Sequence, residues 1–149
     1  MRAVVQRVLC ASVVVDGREV SRIGSGLVVL VGICCDDGMP DAEYVAQKVS
    51  NLRIFPDAGG KMNRSLLDTH GEVLLVSQFT LYGDARGGRR PSYSAAAPGE
   101  VALGLFEAVA QRLKSAGVSA SVGEFGADMQ VSLVNDGPVT LLLDSRREF

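Results

Sequence analysis

The chain has no tryptophan and only one histidine, His70, among its 149 residues. Its three cysteines form no C-x-x-C pair, so the ligand spacing of a structural zinc site is missing. His70 lies in the loop-like stretch Asp68–Gly71, and no G-x-S-x-G motif accompanies it. Conventional Ser-His-Asp or Cys-His catalysis would therefore have one candidate base in a surface loop. We expect no metal and no cofactor.

The cysteines Cys10, Cys34 and Cys35 are an odd number, which does not suit a disulfide framework. Neighbouring residues of a strand point to opposite faces, which opposes a bond between Cys34 and Cys35. We interpret all three as buried or half-buried inert thiols. A reactive role for the adjacent pair is the alternative.

Long hydrophobic runs are also missing. The longest, Leu27 to Val31, is far shorter than the ~20 residues of a membrane-spanning helix. The first seven residues include Arg2 and Arg7 and read as a strand, not as a signal peptide. We therefore expect a cytoplasmic protein without a membrane partner.

Net charge and length set further limits. The formal net charge is −2 and the isoelectric point is about 5.4, which excludes broad, nonspecific coating of nucleic acid, DNA included. A small basic patch remains compatible with this balance. The length fits a single domain, residues 1–149, that can bury a hydrophobic core without disulfide bonds or bound metals.

Hydrophobic patterning predicts an α+β fold. Asp16-Gly17 between two β-branched runs indicates a hairpin, and the apolar run 26–33 indicates a central strand. Tight turns between strands favour a mostly antiparallel, curved, barrel-like sheet covered by two main helices. Further strands are predicted at 72–81, 128–134 and 139–144, the last two being joined by a turn at 135–138.

Both helices carry an apolar stripe. The first follows Pro40-Asp41 and presents Val45, Val49 and Leu52. The second opens at Pro98 and closes at Gly117, with proline and glycine at the ends they prefer. The residues predicted to face inward from the second helix are Val101, Leu105, Phe106, Val109 and Leu113.

Two segments depart from these regular patterns, and a long loop carries a cluster of arginines. Ser77-Gln78-Phe79-Thr80 places polar groups in an apolar strand, which indicates either cross-strand hydrogen bonding or a site. Asn135–Thr140 has proline at the mouth of a strand, which indicates either a hairpin turn or a site. The long loop 83–97 carries Arg86, Arg89 and Arg90, either as solvated charges or as phosphate contacts.

Several stretches together resemble the D-aminoacyl-tRNA deacylases, also called D-tyrosyl-tRNA deacylases. The likeness runs from Gln6-Arg7-Val8 almost to the end of the chain, in matching order and spacing. The pair of motifs S-Q-F-T and N-x-G-P-V-T is highly specific, although either alone would be weak. The stretches are Arg53-Ile54-Phe55, Gly60-Lys61-Met62-Asn63, Ser77-Gln78-Phe79-Thr80-Leu81, Arg89-Arg90-Pro91-Ser92 and Asp128–Thr140.

The resemblance implies a homodimeric hydrolase that cleaves the ester between a D-amino acid and the 3′-terminal ribose of tRNA. Its active sites would lie at the subunit interface, and its partner would be the acceptor end of the tRNA. Ser77, Gln78, Phe79 and Thr80 would form the catalytic segment. Backbone N–H groups of Gln78 and Phe79 would stabilise the tetrahedral oxyanion without a side-chain triad.

The resemblance further implies a cis peptide between Gly137 and Pro138. Their carbonyls would enter the partner subunit's pocket, grip the substrate ammonium and exclude an L side chain. Arg7 would brace this motif and Met129 would wall the pocket. Arg86, Arg89 and Arg90 would contact tRNA phosphates. Glycine mischarged on tRNA(Ala) would also be removed, because it has no side chain to clash.

The attacking group stays open at the level of the sequence. Thr80 is the candidate nucleophile, but no side-chain base accompanies it. We favour a water molecule assisted by the ribose 2′-hydroxyl, with Thr80 only shaping the site. Two other functions remain alternatives: a small-ester hydrolase that uses Thr80, and an RNA-binding protein without catalysis.

Overall fold

The computed structural model describes residues 1–149 and contains eight strands, three α-helices and one 3-10 turn. The strands are β1 (Arg2–Val15), β2 (Arg18–Ile23), β3 (Gly26–Gly32), β4 (Phe55–Pro56), β5 (Met62–Arg64), β6 (Glu72–Ser77), β7 (Ser119–Val122) and β8 (Gln130–Asp144). The helices are α1 (Met39–Asn51), α2 (Leu66–Thr69) and α3 (Gly99–Ser115), and the 3-10 turn is Phe79–Tyr82.

Strand β1 is the centre of the main sheet. It pairs antiparallel with β8 along nearly its whole length, and its other edge pairs with β3 and then with β2. Asp16 and Gly17 both have positive φ, at 49° and 76°, which confirms the predicted hairpin between β1 and β2.

The sheet continues from β3 to β6 and β7 through two parallel pairings, whereas the other four strand pairs of the structure are antiparallel. The α+β class and the mostly antiparallel, curved sheet are thus confirmed. The parallel part arises because α1 and α3 each return the chain to the same end of the sheet.

Helices α1 and α3 pack on each other and on the sheet, as the two apolar stripes predicted. Their shared core includes Val45, Val49, Phe106 and Leu113, all buried. Val101 was expected to face inward but is 49% exposed, because it lies in the first turn of α3, beyond the edge of the core. The short helix α2 was not predicted.

The predicted turn at 135–138 is wrong. The residues 130–144 form one continuous strand, β8, because the chain stays beside β1 on both sides of this segment. Asn135 pairs with Val8 and Thr140 pairs with Gln6, so four residues of β8 bulge out opposite a single residue of β1.

The predicted strand 72–81 is too long. Strand β6 ends at Ser77, and the chain then turns through the 3-10 segment Phe79–Tyr82. In the sequence, Phe79-Thr80-Leu81 continues the strand-like pattern of β6, although these residues lie in the turn. Phe79 and Thr80 are exposed as a result.

The expected burial is confirmed for Cys10 and Cys34, which are half-buried, and is wrong for Cys35, which is exposed. Strand β3 ends at Gly32, so Cys35 lies in the turn beyond it. Its thiol contacts the Ala95 carbonyl oxygen at 3.2 Å.

Candidate active site

A cavity of about 650 Å³ opens where β3 and β6 end. The start of α3 closes one side and the segment leading into β8 closes another. Most of the lining is apolar, so charges placed inside would interact more strongly than in water. The lining residues used below are Val31, Ser77, Gln78, Phe79, Tyr93, Ala96, Ala102, Phe125, Asp128 and Met129.

The segment Ser77–Thr80 contributes its first three residues to this cavity. The Gln78 N–H donates to the Val31 carbonyl oxygen at 2.8 Å, so it continues the β3–β6 ladder. This contradicts the expectation that the Gln78 amide is free to stabilise an oxyanion. Phe79 opens the 3-10 turn, and an opening N–H has no acceptor within its own turn. Of the two expected donors, only the Phe79 amide is left.

Thr80 is exposed and does not line the cavity. Its hydroxyl oxygen accepts a hydrogen bond from Nε2 of Gln78. The only histidine, His70, caps the far end of α2 and is also outside the cavity. Neither a histidine nor the Thr80 hydroxyl is therefore in place to act on a ligand inside.

Two lining residues, Tyr93 and Asp128, were not among the site residues predicted from the sequence. The Tyr93 ring meets the Phe79 ring edge-on, with centroids 5.1 Å apart at 71°. Asp128 is exposed at the rim and brings the only carboxylate of the lining. Tyr93 directly follows the motif Arg89–Ser92, and Asp128 opens the last motif, so their positions beside motifs were the available signal. Met129 lines the cavity, where it was expected to form a wall.

The bulge of β8 is held by its neighbour Gln6. The Thr140 hydroxyl donates to Oε1 of Gln6 at 2.7 Å, and Nε2 of Gln6 donates to Oδ1 of Asn135. One side chain thus fixes both ends of the excursion. Between these ends, Gly137 and Pro138 are exposed, and the peptide that joins them is cis.

Arg7 supports the same bulge from inside the protein. Only 8% of Arg7 is exposed, and its Nε lies 2.9 Å from the Asp136 carboxylate and 3.1 Å from the Asp136 carbonyl oxygen. A terminal nitrogen donates to the Ile54 carbonyl oxygen. A buried guanidinium in this position ties the Gly137–Pro138 segment to the residues that precede β4.

The Gly137–Pro138 segment does not reach the cavity of its own chain. It stands beside Gln6–Val8 of β1, which pairs with Gly26–Val28 at the beginning of β3. The cavity is lined by Val31 from the other end of that strand. The four residue-to-residue steps from Leu27 to Val31 span about 13 Å of strand. The structure therefore brings Ser77, Gln78, Phe79 and Met129 together and leaves Arg7, Gly137 and Pro138 apart from them.

The three arginines of the 83–97 loop differ in their surroundings. Arg86 forms a two-nitrogen pair with Asp84, at 2.9 Å and 2.7 Å, and this pair holds the pKa of the Asp84 carboxyl well below its usual value. Arg89 and Arg90 are exposed and unpaired. Arg86 would have to leave its carboxylate to bind a phosphate, whereas the other two would not.

The structure contains no group of three or more His, Cys, Asp or Glu side chains placed to share a metal ion. None of its helices combines the length and apolar character that crossing a membrane requires.

Known proteins resemble this chain over nearly all of its length. The family model described as D-Tyr-tRNA(Tyr) deacylase matches residues 4–144. A D-aminoacyl-tRNA deacylase of Thermosipho africanus (strain TCF52B) is 58% identical over 149 residues, all of both chains. One of Roseiflexus castenholzii (strain DSM 13941 / HLO8) is 59% identical over 145 residues, 97% of this chain and 92% of the relative.

Two solved structures are also similar to this chain over nearly its whole length. One described as c-Myc DNA Unwinding Element Binding Protein has a TM-score of 0.90 and 42% identity, covering 97% of this chain and 98% of its own. Another, a probable eukaryotic D-amino acid tRNA deacylase, has a TM-score of 0.82 at 17% identity, covering 95% and 97%. The second likeness supports the fold alone.

Proposed function

Because this chain belongs to the D-aminoacyl-tRNA deacylase family of hydrolases, we propose that it removes D-amino acids from tRNA. The bond cleaved is the ester between the amino acid and the 3′-terminal ribose, and the products are the free D-amino acid and tRNA. The observation that carries this proposal is the apolar cavity with the Phe79 N–H at the start of its 3-10 turn.

Ester hydrolysis at this site uses water and a backbone donor. Water attacks the ester carbonyl carbon, and the resulting oxyanion accepts a hydrogen bond from the Phe79 N–H. The proton of the water passes through the ribose 2′-hydroxyl to the departing 3′ oxygen. Ser77 and Gln78 shape the catalytic segment, Met129 walls it, and Thr80 holds Gln78 through their hydrogen bond.

Selection between D and L substrates falls to Gly137 and Pro138. Both are exposed and rigidly supported by Gln6 and Arg7, which suits main-chain atoms that must stand against a ligand without yielding. Their carbonyls contact the substrate ammonium and occupy the space that an L side chain needs. A D side chain points away, so its size matters little, and glycine is accepted as well.

This division of labour requires a homodimer. The segment lies about 13 Å of strand away from the cavity of its own chain, so it acts on the cavity of a second copy. The long edge strand β8 supports this, because it exposes Leu133 and Val134, and Leu9 of β1 is exposed as well. An edge strand with exposed apolar residues is a surface that proteins cover.

The tRNA is bound at its acceptor end, and the reaction takes place in the cytoplasm, where aminoacyl-tRNA is made. Arg89 and Arg90 are available for phosphate contacts, and Arg86 follows if it releases Asp84. The net charge of −2 suits contact with one end of a tRNA better than contact along a whole nucleic acid, and neither DNA nor a membrane is a partner.

The test compares ester loss from D-Tyr-tRNA, L-Tyr-tRNA and Gly-tRNA. We expect rapid loss from the D-Tyr and glycyl esters and none above background from the L-Tyr ester. Ala102→Phe, which fills the cavity from α3, is the inactive control. Binding of tRNA without ester loss would contradict the proposal that the protein is a deacylase. Equal rates on the D and L esters would contradict selection by Gly137 and Pro138.

A further inference from the structure

Three exposed cations share the small β4–β5 hairpin and the residues that flank it. Arg53 precedes β4, Lys61 lies in the turn, and Arg64 ends β5. None of the three lies within 4 Å of a carboxylate oxygen, in contrast to exposed arginines elsewhere, such as Arg22 and Arg86, which do. With three cations against the two acids Asp57 and Asp68, the hairpin and its flanks carry net positive charge on a chain of net negative charge.

The two acids nearest in sequence are turned toward backbone donors. Oδ1 of Asp57 accepts from the N–H of Gly59 at 2.8 Å and from that of Lys61 at 3.1 Å. The Asp68 carboxylate accepts from the N–H and the hydroxyl of Ser65, each at 2.8 Å. These hydrogen bonds are the main cause that lowers the pKa of both carboxyl groups, and the charges of Arg53 and Arg64 add a smaller contribution.

The guanidinium groups of Arg53 and Arg64 each make one hydrogen bond in the protein and have further N–H groups free. Nε of Arg53 donates to the Asn63 carbonyl oxygen at 2.7 Å, which leaves its two terminal nitrogens free. One terminal nitrogen of Arg64 donates to the Asp68 carbonyl oxygen. A guanidinium that is fixed at one nitrogen and open at others suits a phosphate, which accepts paired N–H donors.

The position of the hairpin connects it to the proposed selectivity segment. The Ile54 carbonyl, directly before β4, accepts from Arg7, and Arg7 also binds Asp136 beside Gly137. The hairpin and the Gly137–Pro138 segment therefore form one supported unit at the same end of the sheet. If the Gly137–Pro138 segment enters the cavity of a second copy, as the proposed function requires, the basic hairpin lies beside that cavity as well.

We infer that the β4–β5 hairpin is an RNA-binding surface that contacts backbone phosphates of the tRNA whose 3′ end occupies the other copy's cavity. Arg53, Lys61 and Arg64 provide the contacts. The inference rests on the proposed function for the identity of the RNA. The tRNA is then held by both copies, by the cavity of one and by the hairpin of the other.

The test separates phosphate binding from chemistry by using two substrates. One is D-Tyr-tRNA, and the other is the D-Tyr ester of adenosine, which keeps the reacting ester and lacks the rest of the RNA. The variants are Lys61→Gln, whose ammonium makes no hydrogen bond in the protein, and the double variant Lys61→Gln with Arg64→Gln. The matched control is the double variant Lys114→Gln with Arg147→Gln, two exposed cations outside the hairpin that, like those of the hairpin, have no carboxylate oxygen within 4 Å.

For the hairpin double variant we expect KM for D-Tyr-tRNA to rise about tenfold, with kcat and the rate on the adenosine ester unchanged. The slope of log(kcat/KM) against log[salt] becomes shallower by roughly 0.7–0.9 for each phosphate that the variant no longer neutralises. Lys61→Gln alone gives about half of each effect on a logarithmic scale, and the control gives neither.

An equal loss on both substrates, or no loss on either, would overturn the inference. Failure of the proposed function has a different signature, since the wild-type protein would then hydrolyse neither ester. In that case the binding of uncharged tRNA by the wild-type and hairpin variants still decides the matter. Unchanged affinity overturns the inference, and affinity weakened only in the hairpin variants supports it.

Discussion

Removing the guanidinium of Arg7 should both destabilise the protein and reduce its activity. Arg7→Met keeps most of the side chain's volume but leaves the carboxylate and carbonyl of Asp136 and the carbonyl of Ile54 without a donor. Breaking a buried ion pair from one side costs about 3–5 kcal/mol. The low end, about 3 kcal/mol, applies because the Asp136 side chain is 37% exposed and can be hydrated.

Urea unfolding measures this cost at a fixed protein concentration, because the stability of the proposed homodimer would depend on concentration. At a slope of about 2 kcal/mol per molar urea, a loss of 3 kcal/mol lowers the midpoint by about 1.5 M. Asp136→Asn should cost less, and the double variant less than the sum, because both changes act on one pair. Arg7→Lys keeps the positive charge, but its single nitrogen cannot bind both Asp136 and the Ile54 carbonyl, so it should recover only part of the stability.

The activity of folded Arg7→Met distinguishes support of the Gly137–Pro138 segment from general stabilisation. We expect kcat/KM on D-Tyr-tRNA to fall by roughly tenfold or more in buffer, where the variant is fully folded; a 1 Å misplacement of a substrate-contacting group is enough for a loss of this size. A midpoint within error of wild type, or a clear loss of stability with full activity, would refute the reasoning.

Three further outcomes follow from the site and the fold. Thr80→Ala should keep substantial deacylation, measured by single-turnover kinetics, and a covalent aminoacyl adduct on Thr80 would contradict this. A substrate with a 2′-deoxy terminal ribose should react about 10²–10⁴-fold more slowly than the native ester, whereas Asp128→Asn should hydrolyse the native ester at close to the wild-type rate. A normal rate on the 2′-deoxy substrate together with an inactive Asp128→Asn would instead make Asp128 the base. Burial raises the pKa of Asp41, but hydrogen bonds from the Ser145 hydroxyl and the Gly38 N–H lower it further, to a net value below 3.8. The stability from Asp41 is therefore present above the ordinary pKa of an aspartate and lost as the pH falls through the lower pKa of the folded state. Asp41→Asn should thus cost about 1 kcal/mol at pH 7 and progressively less in acid, as followed by thermal unfolding.

Local patterns were enough for most of the fold. The pair Asp16-Gly17 requires positive φ at two successive residues, and the Pro98 and Gly117 boundaries of α3 express the preferences of helix ends. Such features depend on neighbours in sequence, so the sequence predicts them. Only the first turn of α3, with Val101 exposed, departs from its stripe.

The departures arise from contacts between distant segments. Asn-Asp-Gly-Pro is typical of a turn, yet Gln6 and Arg7, more than a hundred residues away, hold both sides of it in one strand. Likewise, the Gln78 N–H is not free to bind an oxyanion, because it donates to the carbonyl oxygen of Val31 in β3. Neither partner can be identified by spacing along the chain, because both depend on which strands become neighbours.

The candidate site shows the same limit. The motifs pointed to Ser77–Phe79 and Met129, which share the cavity, and equally to Gly137 and Pro138, which lie elsewhere. Tyr93 and Asp128 enter the lining from the 83–97 loop and from the start of the last motif, and neither carried a signal of its own. A sequence motif marks residues without showing which of them the fold brings together.

The central claim is that the cavity of one copy works with the Gly137–Pro138 segment of the other, and mixed dimers test it directly. Ala102→Phe inactivates the cavity, so its homodimer should be nearly inactive, and Arg7→Met weakens the segment, so its homodimer should keep about a tenth of the wild-type activity or less. When the two variants are unfolded together and refolded, half of the dimers are mixed, and each mixed dimer has one intact cavity facing one intact segment. Deacylation of D-Tyr-tRNA should then return to about a quarter of the wild-type rate. If cavity and segment act within one chain, every chain in the mixture carries a defect, and the rate would stay at the level of the separate variants.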